Sequence, residues 1–518
     1  MFRYLCVYIL VVLSQNTQAQ NISDLPQGLS LKAALSAALS GNPNVLLSLT
    51  QIEAAQSVAQ QQQGPFDLTL NAQGGSTRTI RPLREAERLS YLLGGYDLRY
   101  QLADTTIAQA GVTQLFMNGM QANLVATYTS NAENTFPATG TQRQGTGAIT
   151  FQLRAPIMRN EGDVVGAPLR AAEIESFAAR GELEFTVAQA LLSSALSYWD
   201  YLGKTQRLAI SRANERRGEE QIEEIRKLIA SDELPKAEIN LAQASLNDRR
   251  SARIAAEQAL LESRRSLGRS LGMSAQATMS IGELSDAFPL YADVPINTVA
   301  RKEELTLRAL DTRSDLTALR QRREAAQILL DAARKNERPQ LDLVLGATQN
   351  GLTEGASTGA IAPAFTQNFG TGYSANLIFQ MPLGNNAARG LYRQQAAQVD
   401  AQSIRINELG HSISNSIETS AYAVQRATEQ LIEADAAVKT YAASLENERT
   451  KRRLGLSTLI DTLNIEDRYN NALLAAVQAH QGFASSIAQF RFETGALLVR
   501  EGDTYSARVS ELFTPVVR

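Results

Sequence analysis

The chain has 518 residues, of which 44% are hydrophobic, and its 50 basic and 53 acidic side chains give a formal net charge of −3. This length allows several domains or one elongated unit, and the charge balance offers no basic surface of the kind that binds nucleic acid. With 33 glycines and 14 prolines, the composition also excludes a collagen-like or disordered chain.

The N-terminus has the pattern of a secretory signal peptide. Arg3 precedes the apolar run YLCVYILVVL, and SQNTQA then supplies small residues suited to cleavage after Ala19. The apolar run is too short to span a membrane as a helix. We therefore expect residues 1–19 to be removed on export. Cys6, the only cysteine, lies inside this segment, so the exported chain would have no thiol for a disulfide or a metal site.

Two parts of the chain repeat one plan. The letters EAAQ occur at 53–56 and again at 324–327, each time in an amphipathic helical pattern that a proline and an alternating strand follow. Each repeat is predicted to contain a helix, strands and a pair of long helices. The predicted divisions are a first repeat at 20–275, a linker at 276–300, a second repeat at 301–498 and a C-terminal tail at 499–518.

Short segments in which apolar and polar residues alternate predict the strands. They lie at 66–71, 148–154 and 373–381. The first repeat alone also contains GVTQLFMNGMQANLVATYTS, which predicts a hairpin that turns at Asn118-Gly119. Such alternation is typical of the strands of a membrane barrel, and equally of an ordinary half-buried sheet.

Long helical patterns fill most of the remaining chain. One runs from Leu169 to Ala230 without a further proline, and another covers about 386–453. Near the C-terminus, apolar positions spaced alternately by three and four residues predict a coiled-coil seam. These positions are Leu473, Ala476, His480, Phe483, Ile487 and Phe490. Helices of this length cannot form one globular core, so we expect them to pack side by side as a bundle.

The predicted strands number four to six, fewer than the eight or so that a closed membrane barrel needs. If they enter a membrane, several copies of the chain must share one barrel, because an open sheet edge is not tolerated in lipid.

Several segments, in this order, resemble the TolC-type outer-membrane efflux protein family. They include APLRAAEI, ALSYWDYL, FQMPLGNNAARG and GLSTLIDTLNIEDRYNNALLAAVQAHQGFASSIAQFRFETG, and the resemblance covers nearly all of residues 28–498. It implies a mainly α fold with a membrane β-barrel. Three copies would share one twelve-stranded barrel in the outer membrane, and their helices would form a tunnel across the periplasm. The extra hairpin at 104–130 is then either an extracellular loop or a source of further strands.

The function implied by the resemblance is a duct in the outer membrane of a Gram-negative cell, extending into the periplasm. It would export small molecules, or proteins as in type I secretion, together with a periplasmic adaptor and an inner-membrane transporter. No cofactor is implied, because the inner membrane supplies the energy. By the same analogy, the linker at 276–300 and the tail at 499–518 lie at the equator of the bundle. The sequence does not indicate the cargo.

The resemblance also implies two groups of functional residues. The adaptor-contacting tips are Ala230, Ser231 and Asp232 at the first helical turn, and Arg453, Gly455, Leu456 and Ser457 at the second. The family usually has a glycine at both tips, whereas only the second has one here. Asp461 and Asn464 match positions that ring the tunnel entrance, where three copies of Asp461 would attract cations. A solvated helix carboxylate is the alternative interpretation of Asp461.

No pattern indicates an enzyme. The two histidines, His411 and His480, have no carboxylate at metal-ligand spacing, and HExxH, GxSxG and P-loop patterns are missing from the sequence. Trp199 lies on an apolar helix face, where core packing is expected. The alternative function is a periplasmic coiled-coil scaffold without a pore, which would have no need of strands with one lipid-compatible face.

Overall fold

The computed structural model describes the chain from residue 28 to residue 513, apart from a few short segments. The described ranges are 28–134, 143–232, 235–291, 299, 301–354, 361–366, 368–501 and 504–513. The predicted signal peptide at 1–19 lies outside them. Two compact units are present. The helical unit comprises the chain up to Ile52, Ala178–Leu319 and the chain from Arg405 onward, and the sheet unit comprises Glu53–Phe177 and Arg320–Ile404.

The described elements include both helices and strands in each half of the chain. The helices are α1 (Leu31–Gly41), α2 (Pro43–Gln63), α3 (Glu85–Leu93), α4 (Ala167–Ala230), α5 (Glu238–Ser270), α6 (Ala275–Met279), α7 (Lys302–Thr312), α8 (Ser314–Lys335), α9 (Ile361–Thr366), α10 (Asn386–Arg453) and α11 (Leu459–Glu493). The strands are β1 (Thr69–Pro82), β2 (Tyr100–Leu115), β3 (Gln121–Glu133), β4 (Gln144–Pro156), β5 (Gln340–Glu354), β6 (Asn368–Gln380), β7 (Leu498–Glu501) and β8 (Thr504–Ala507).

Helices α4 and α10 are the longest, with 64 and 68 residues. At 1.5 Å per residue they measure roughly 96 and 102 Å. Pro168 lies in the first turn of α4, where its missing N–H is not needed. The long helices predicted from Leu169 to Ala230 and over 386–453 are therefore confirmed. Within the described part of the chain, no helix has both the length and the apolarity needed to cross a bilayer.

Both repeats begin with a helix that breaks after 11 residues and then continues. The break falls at Asn42 in the first repeat and at Arg313 in the second. The Asn42 amide donates to the carbonyl of Ser270 at 2.8 Å, and the Arg313 guanidinium donates to the carbonyl of Glu493 at 3.4 Å. Ser270 and Glu493 are the last residues of α5 and α11, so both repeats use a side chain at the break to satisfy a helix-end carbonyl.

The ends of α5 and α11 are equivalent in their backbone as well. Gly272 and Gly495 follow these helices with φ of +72° and +69°. The next N–H in each case, of Met273 and Ala496, donates 2.8 Å back into the helix. This is a Schellman cap, which glycine favours because it has no Cβ to clash in the left-handed conformation.

The core of the helical unit surrounds Trp199 of α4, which is fully buried. Its ring centroid lies 5.8 Å from that of Phe288 and 5.5 Å from that of Phe513. Phe288 belongs to the segment after α6, and Phe513 ends a 3-10 turn, Val509–Phe513, that follows β8. The described parts of the predicted linker and tail thus both pack against α4, and the predicted packing role of Trp199 is confirmed.

The predicted seam of α11 is largely buried. Ala476, Phe483, Ile487 and Phe490 are buried, whereas Leu473 and His480 are partly exposed. The His480 Nε2 atom lies 3.2 Å from an oxygen of Asp435 on α10, so this histidine links α11 to α10. Residue types at a three-and-four spacing were therefore sufficient to predict the buried face of this helix.

The sheet unit contains one antiparallel sheet in the order β1-β2-β3-β4-β5-β6. The strand predicted at 66–71 is only partly correct, because Gly64–Phe66 forms a 3-10 turn and β1 begins at Thr69. The hairpin predicted at Asn118-Gly119 is confirmed, with a 2.8 Å hydrogen bond from the Phe116 N–H to the Met120 carbonyl. Its arms, β2 and β3, pair along 13 positions each within the sheet.

Candidate functional site

The six-stranded sheet has two chemically different faces, which its register assigns because directly opposed residues lie on the same face. Hydrophobic side chains dominate one of them, which we call the apolar face. Its members include Leu70, Ala72, Ala110, Val112, Leu124, Ala126, Ile149, Phe151, Leu153, Leu343, Leu345, Tyr373, Leu377 and Phe379. Many are solvent-exposed in the single chain, with Leu70 at 75% and Leu377 at 65%.

Small hydroxyl and amide side chains dominate the opposite, polar face. Its members include Thr69, Asn71, Gln73, Gln109, Thr113, Asn123, Thr127, Thr129, Thr150, Gln152, Thr348, Asn350, Ser374 and Asn376. Cross-strand hydrogen bonds link several of them, such as the 3.1 Å bond from the Thr113 hydroxyl to the Asn123 side-chain oxygen. An ion pair between Arg154 and Asp342 also lies on this face. Such a surface suits contact with water.

The apolar face covers most of the height of the apolar band that membrane β-strands present. On β4 it extends over nine residues from Gly147 to Ala155, which correspond to roughly 27 Å along the strand and to roughly 20 Å in height at a typical strand tilt of about 40°. Membrane β-strands present an apolar band about 25 Å tall. Beyond this span on the same face, Arg78 and Asp104 form a two-pronged ion pair at 2.7 and 2.8 Å. The charges therefore begin where the apolar band ends.

The second helical tip joins α10 to α11 through two well-formed caps. The N–H groups of Gly455 and Leu456 donate to the carbonyls of Arg452 and Lys451, a Schellman cap in which Gly455 has a φ of +71°. Ser457 donates its hydroxyl to Glu448. The side chains of Leu454 and Leu456 point outward, at 68% and 74% exposure. The predicted tip residues thus form a rigid turn that displays apolar side chains.

The first tip is more polar. Helix α4 ends at Ala230, the Ser231 hydroxyl bonds back to the carbonyl of Lys227 at 3.1 Å, and Asp232 adopts a left-handed φ of +57°. Asp232 therefore occupies the kind of backbone position that glycine fills most easily. Aspartate is one of the few other residues that tolerate it.

Both tips rest on one apolar cluster of the helical unit. Its buried members come from α4, α5 and α11, and they are Ile222, Ile225, Ala242, Leu246, Leu459 and Leu463. Across the surface, the Arg452 guanidinium bonds to both oxygens of Glu224 at 2.8 and 2.9 Å. The two turns are therefore held next to each other.

Asp461 and Asn464, the predicted constriction residues, both lie on an exposed face of α11. They are three residues apart, so their side chains are neighbours on the helix. Asp461 also forms a capping box, in which its carboxylate accepts the Thr458 N–H at 3.1 Å while its own N–H donates to the Thr458 hydroxyl at 3.2 Å. The hydrogen bonds from Thr458 lower the pKa of Asp461 below its ordinary value of 3.8.

Glu466 was not predicted as a functional residue, yet it is the most heavily paired carboxylate near the tips. Its side chain is 4% exposed and lies 3.1 Å from Arg217 of α4, 3.1 Å from Arg249 of α5 and 3.6 Å from Arg449 of α10. Because Glu466 itself is on α11, one carboxylate connects four helices. The sequence contained a signal for the burial of Glu466. It lies seven residues before Leu473, so it falls on the same helix face as the predicted seam.

Among the described residues, no group of three or more His, Cys, Asp or Glu side chains is placed to hold a metal ion.

Comparisons with known proteins agree with these features. Residues 305–496 match the family model described as outer membrane efflux protein. No curated protein sequence matches the chain.

Several solved structures share the fold. The CmeC outer membrane channel of Campylobacter jejuni superposes with a TM-score of 0.66 at 13% identity, covering 94% of this chain and 90% of that chain. The outer membrane protein VceC of Vibrio cholerae gives 0.63 at 16%, covering 90% and 96%. The open-state MtrE outer membrane channel of Neisseria gonorrhoeae gives 0.62 at 13%, covering 90% and 88%. At these identities the likeness concerns the fold.

Proposed function

We propose that the chain, whose residues 305–496 match the outer membrane efflux protein family, is an outer-membrane channel that exports cargo from the periplasm to the exterior. In this proposal it works as a homotrimer with a periplasmic adaptor and an inner-membrane transporter, as the family resemblance implies. The channel is passive, carries out no catalysis and needs no cofactor. The transporter supplies the energy and selects the cargo, whether small molecules or proteins.

The observation that carries the proposal is the two-faced sheet. Its apolar face exposes Leu70, Leu377 and other large side chains, which would be unfavourable in water and suit contact with lipid. Its polar face, rich in threonine, asparagine and glutamine, suits a water-filled lumen. A periplasmic scaffold without a pore would leave the apolar face without a partner, so the sheet favours the channel over the scaffold.

The helical tips are the proposed contact with the adaptor. Leu454 and Leu456 project from a turn fixed by the cap at Gly455, and Ile460 adds a third apolar side chain at 51% exposure. Exposed apolar residues on a rigid turn are suited to anchor a protein partner. Ser231 and Asp232 on the first tip, with Arg453 and Ser457 on the second, would supply polar contacts at the rim of this surface.

Asp461 is the proposed electrostatic element of the tunnel entrance. Its pKa is lowered from 3.8 by the hydrogen bonds from Thr458, so the carboxylate is ionised at every pH above that value. The sign of the shift also means that the cap which Asp461 makes is present at neutral pH and is lost only as the pH falls through the lowered pKa. Three copies of this carboxylate around a narrow entrance would favour cations. Cation selectivity should therefore be fully present at neutral pH and be lost as the pH falls through the pKa of these carboxylates.

The test is single-channel recording of the purified, membrane-extracted protein in planar bilayers. Asp461→Asn removes the charge but also weakens the capping box, so Thr458→Val serves as the matched control that disrupts the cap and keeps the charge. We expect discrete, cation-selective openings for the unchanged protein and a lower cation-to-anion permeability ratio for Asp461→Asn alone.

Two outcomes would count against the proposal. If the unchanged protein and Asp461→Asn have the same cation-to-anion permeability ratio, Asp461 does not lie at the constriction, although the protein is still a channel. A protein that neither partitions into membranes nor conducts would rule out the channel and leave the scaffold.

A further inference from the structure

Helix α3 lies at the end of the sheet that is opposite to the connections with the long helices. At one end of the sheet β4 continues toward α4 and β6 toward α10, whereas α3 connects β1 to β2 at the other end. None of its nine residues is buried. Because the long helices are proposed to reach into the periplasm, α3 lies at the extracellular mouth of the proposed channel.

Hydrogen bonds attach α3 to the polar face of the sheet. Arg81 of β1 and Gln101 of β2 are directly opposed on this face, and the Arg81 guanidinium donates to the Gln101 side-chain oxygen at 3.1 and 3.0 Å. The same guanidinium donates to both carboxylate oxygens of Glu87 in α3 at 3.2 Å. Gln101 in turn donates to Glu133 of β3 at 2.9 Å. Leu83, which follows Arg81 on this face, is only 6% exposed. The helix is therefore held on the side of the sheet that is proposed to face the lumen.

Three leucines form an apolar stripe on the side of α3 that faces away from Glu87. Leu89, Leu92 and Leu93 are three and four residues apart, so they are neighbours on one face of the helix. At about 100° per residue they lie roughly 140–240° around the helix axis from Glu87. Their side chains are 57%, 57% and 83% exposed. Since Glu87 points toward the polar face of the sheet, the leucine stripe points into the space in front of that face.

We infer that the leucine stripe lines the exit of the channel, and that three copies of it form an apolar constriction which cargo must pass. The inference rests on the proposed channel function, in which the polar face encloses the lumen, and on the proposed homotrimer. Apolar area that is exposed in the single chain leaves water when the three stripes approach one another around the pore axis. A narrow apolar ring loses its water and then blocks ions and polar molecules. The leucines therefore determine specificity by polarity at the exit, whereas Asp461 acts on charge at the proposed entrance.

The first test compares single-channel conductance in planar bilayers between the unchanged protein and a variant that carries Leu89→Gln, Leu92→Gln and Leu93→Gln together. Glutamine is close to leucine in helix propensity, so α3 is retained while its stripe becomes polar. We expect a higher conductance, because water and ions then enter the constriction more easily. Ile80→Gln is the matched control, since Ile80 is 61% exposed at the same end of the sheet but lies on the apolar face. This control should conduct as the unchanged protein does.

The second test labels a cysteine at the same place, which is favourable because Cys6 in the predicted signal peptide is the only cysteine. A maleimide-linked polyethylene glycol, which does not cross membranes, is added to the extracellular side of channels that carry Leu92→Cys or Ile80→Cys. We expect Leu92→Cys to lose its current in up to three steps, one for each copy, and Ile80→Cys to keep its current. A shift in gel mobility confirms that both variants are labelled.

The outcomes separate this inference from the proposed channel function. Unchanged conductance in the glutamine variant, or labelled Leu92→Cys that keeps its full current, would overturn the inference and leave the channel intact. Equal effects at Leu92 and Ile80 would also overturn it, because the result would then not depend on the face of the sheet. A lack of conductance in the unchanged protein would contradict the channel itself, and the constriction with it.

Discussion

Glu466 illustrates how much depends on one buried residue near the tips. Its carboxylate is shared by Arg217 and Arg249, and Arg249 is itself 4% exposed. Removing one partner of a buried ion pair costs about 3–5 kcal/mol, because the other charge stays buried without compensation. The first turns of α11 should therefore depend on the Glu466 charge for their attachment to α4 and α5.

We predict that Glu466→Gln loosens the tips without unfolding the whole chain. If the free energy of opening the tips falls by about 3 kcal/mol, the population of the open state rises by about 100-fold. Tryptic cleavage near Lys451–Arg453 should become faster by the same factor, because trypsin cuts the open state. Limited proteolysis of the extracted protein, followed by mass spectrometry, measures this rate. Asp467→Asn is the control, because the same chemical change is made one residue further on at a side chain that is 58% exposed and lies 4.0 Å from Arg249, at the outer limit of an ion pair. Equal cleavage of the two variants would contradict a structural role for the Glu466 charge.

At the scale of single elements, the cap at Gly455 determines where α10 ends. A side chain at a φ of +71° costs about 1–2 kcal/mol. We predict that Gly455→Ala makes the tip open more often and speeds hydrogen exchange of the Leu456 N–H by about 5–30-fold, because this N–H bonds to the Lys451 carbonyl across the cap.

Gly482→Ala tests whether any glycine change would do the same. Gly482 lies inside α11, and a Cβ there would meet no atom within 4 Å. Alanine favours a helix interior over glycine by up to about 1 kcal/mol, so tip exchange should be unchanged. A similar acceleration in both variants would mean that the cap geometry is not what holds the tip.

The extra hairpin is an element that the sequence predicted only in part. Asn118-Gly119 between alternating segments was enough to place the turn. The alternation of apolar and polar residues could not decide whether the arms form a separate loop or enter the sheet, because strands show the same alternation in both cases. The register decides it, since β3 pairs with β2 on one side and β4 on the other.

At the scale of the whole molecule, the C-terminal segment completes the core around Trp199. Leu512 is 1% exposed, Phe513 contacts the Trp199 ring, and Glu511 lies 2.9 Å from the buried Arg491. Burial of the Leu512 side chain alone stabilises the folded state by about 1.5–3 kcal/mol. The tail therefore contributes to the folding of the helical unit.

We predict that a chain truncated after Arg508 has a lower thermal midpoint and a red-shifted tryptophan emission. Trp199 is the only tryptophan of the protein, so the emission reports directly on this core. A chain ending at Phe513 keeps the packed segment and should behave as the full chain does. Unchanged emission and midpoint after truncation at Arg508 would show that the segment does not hold the core.

The sequence by itself determined the repeated plan, the bounds of the long helices, the buried seam of α11 and the two-faced character of the strands, because helix and strand periodicities are local properties of the chain. Only the tertiary structure decided that β2 and β3 join the sheet and that Glu466 gathers three arginines. Those features depend on which side chains and strand edges meet, and residues as far apart as Arg217 and Glu466 meet only when separate helices pack together.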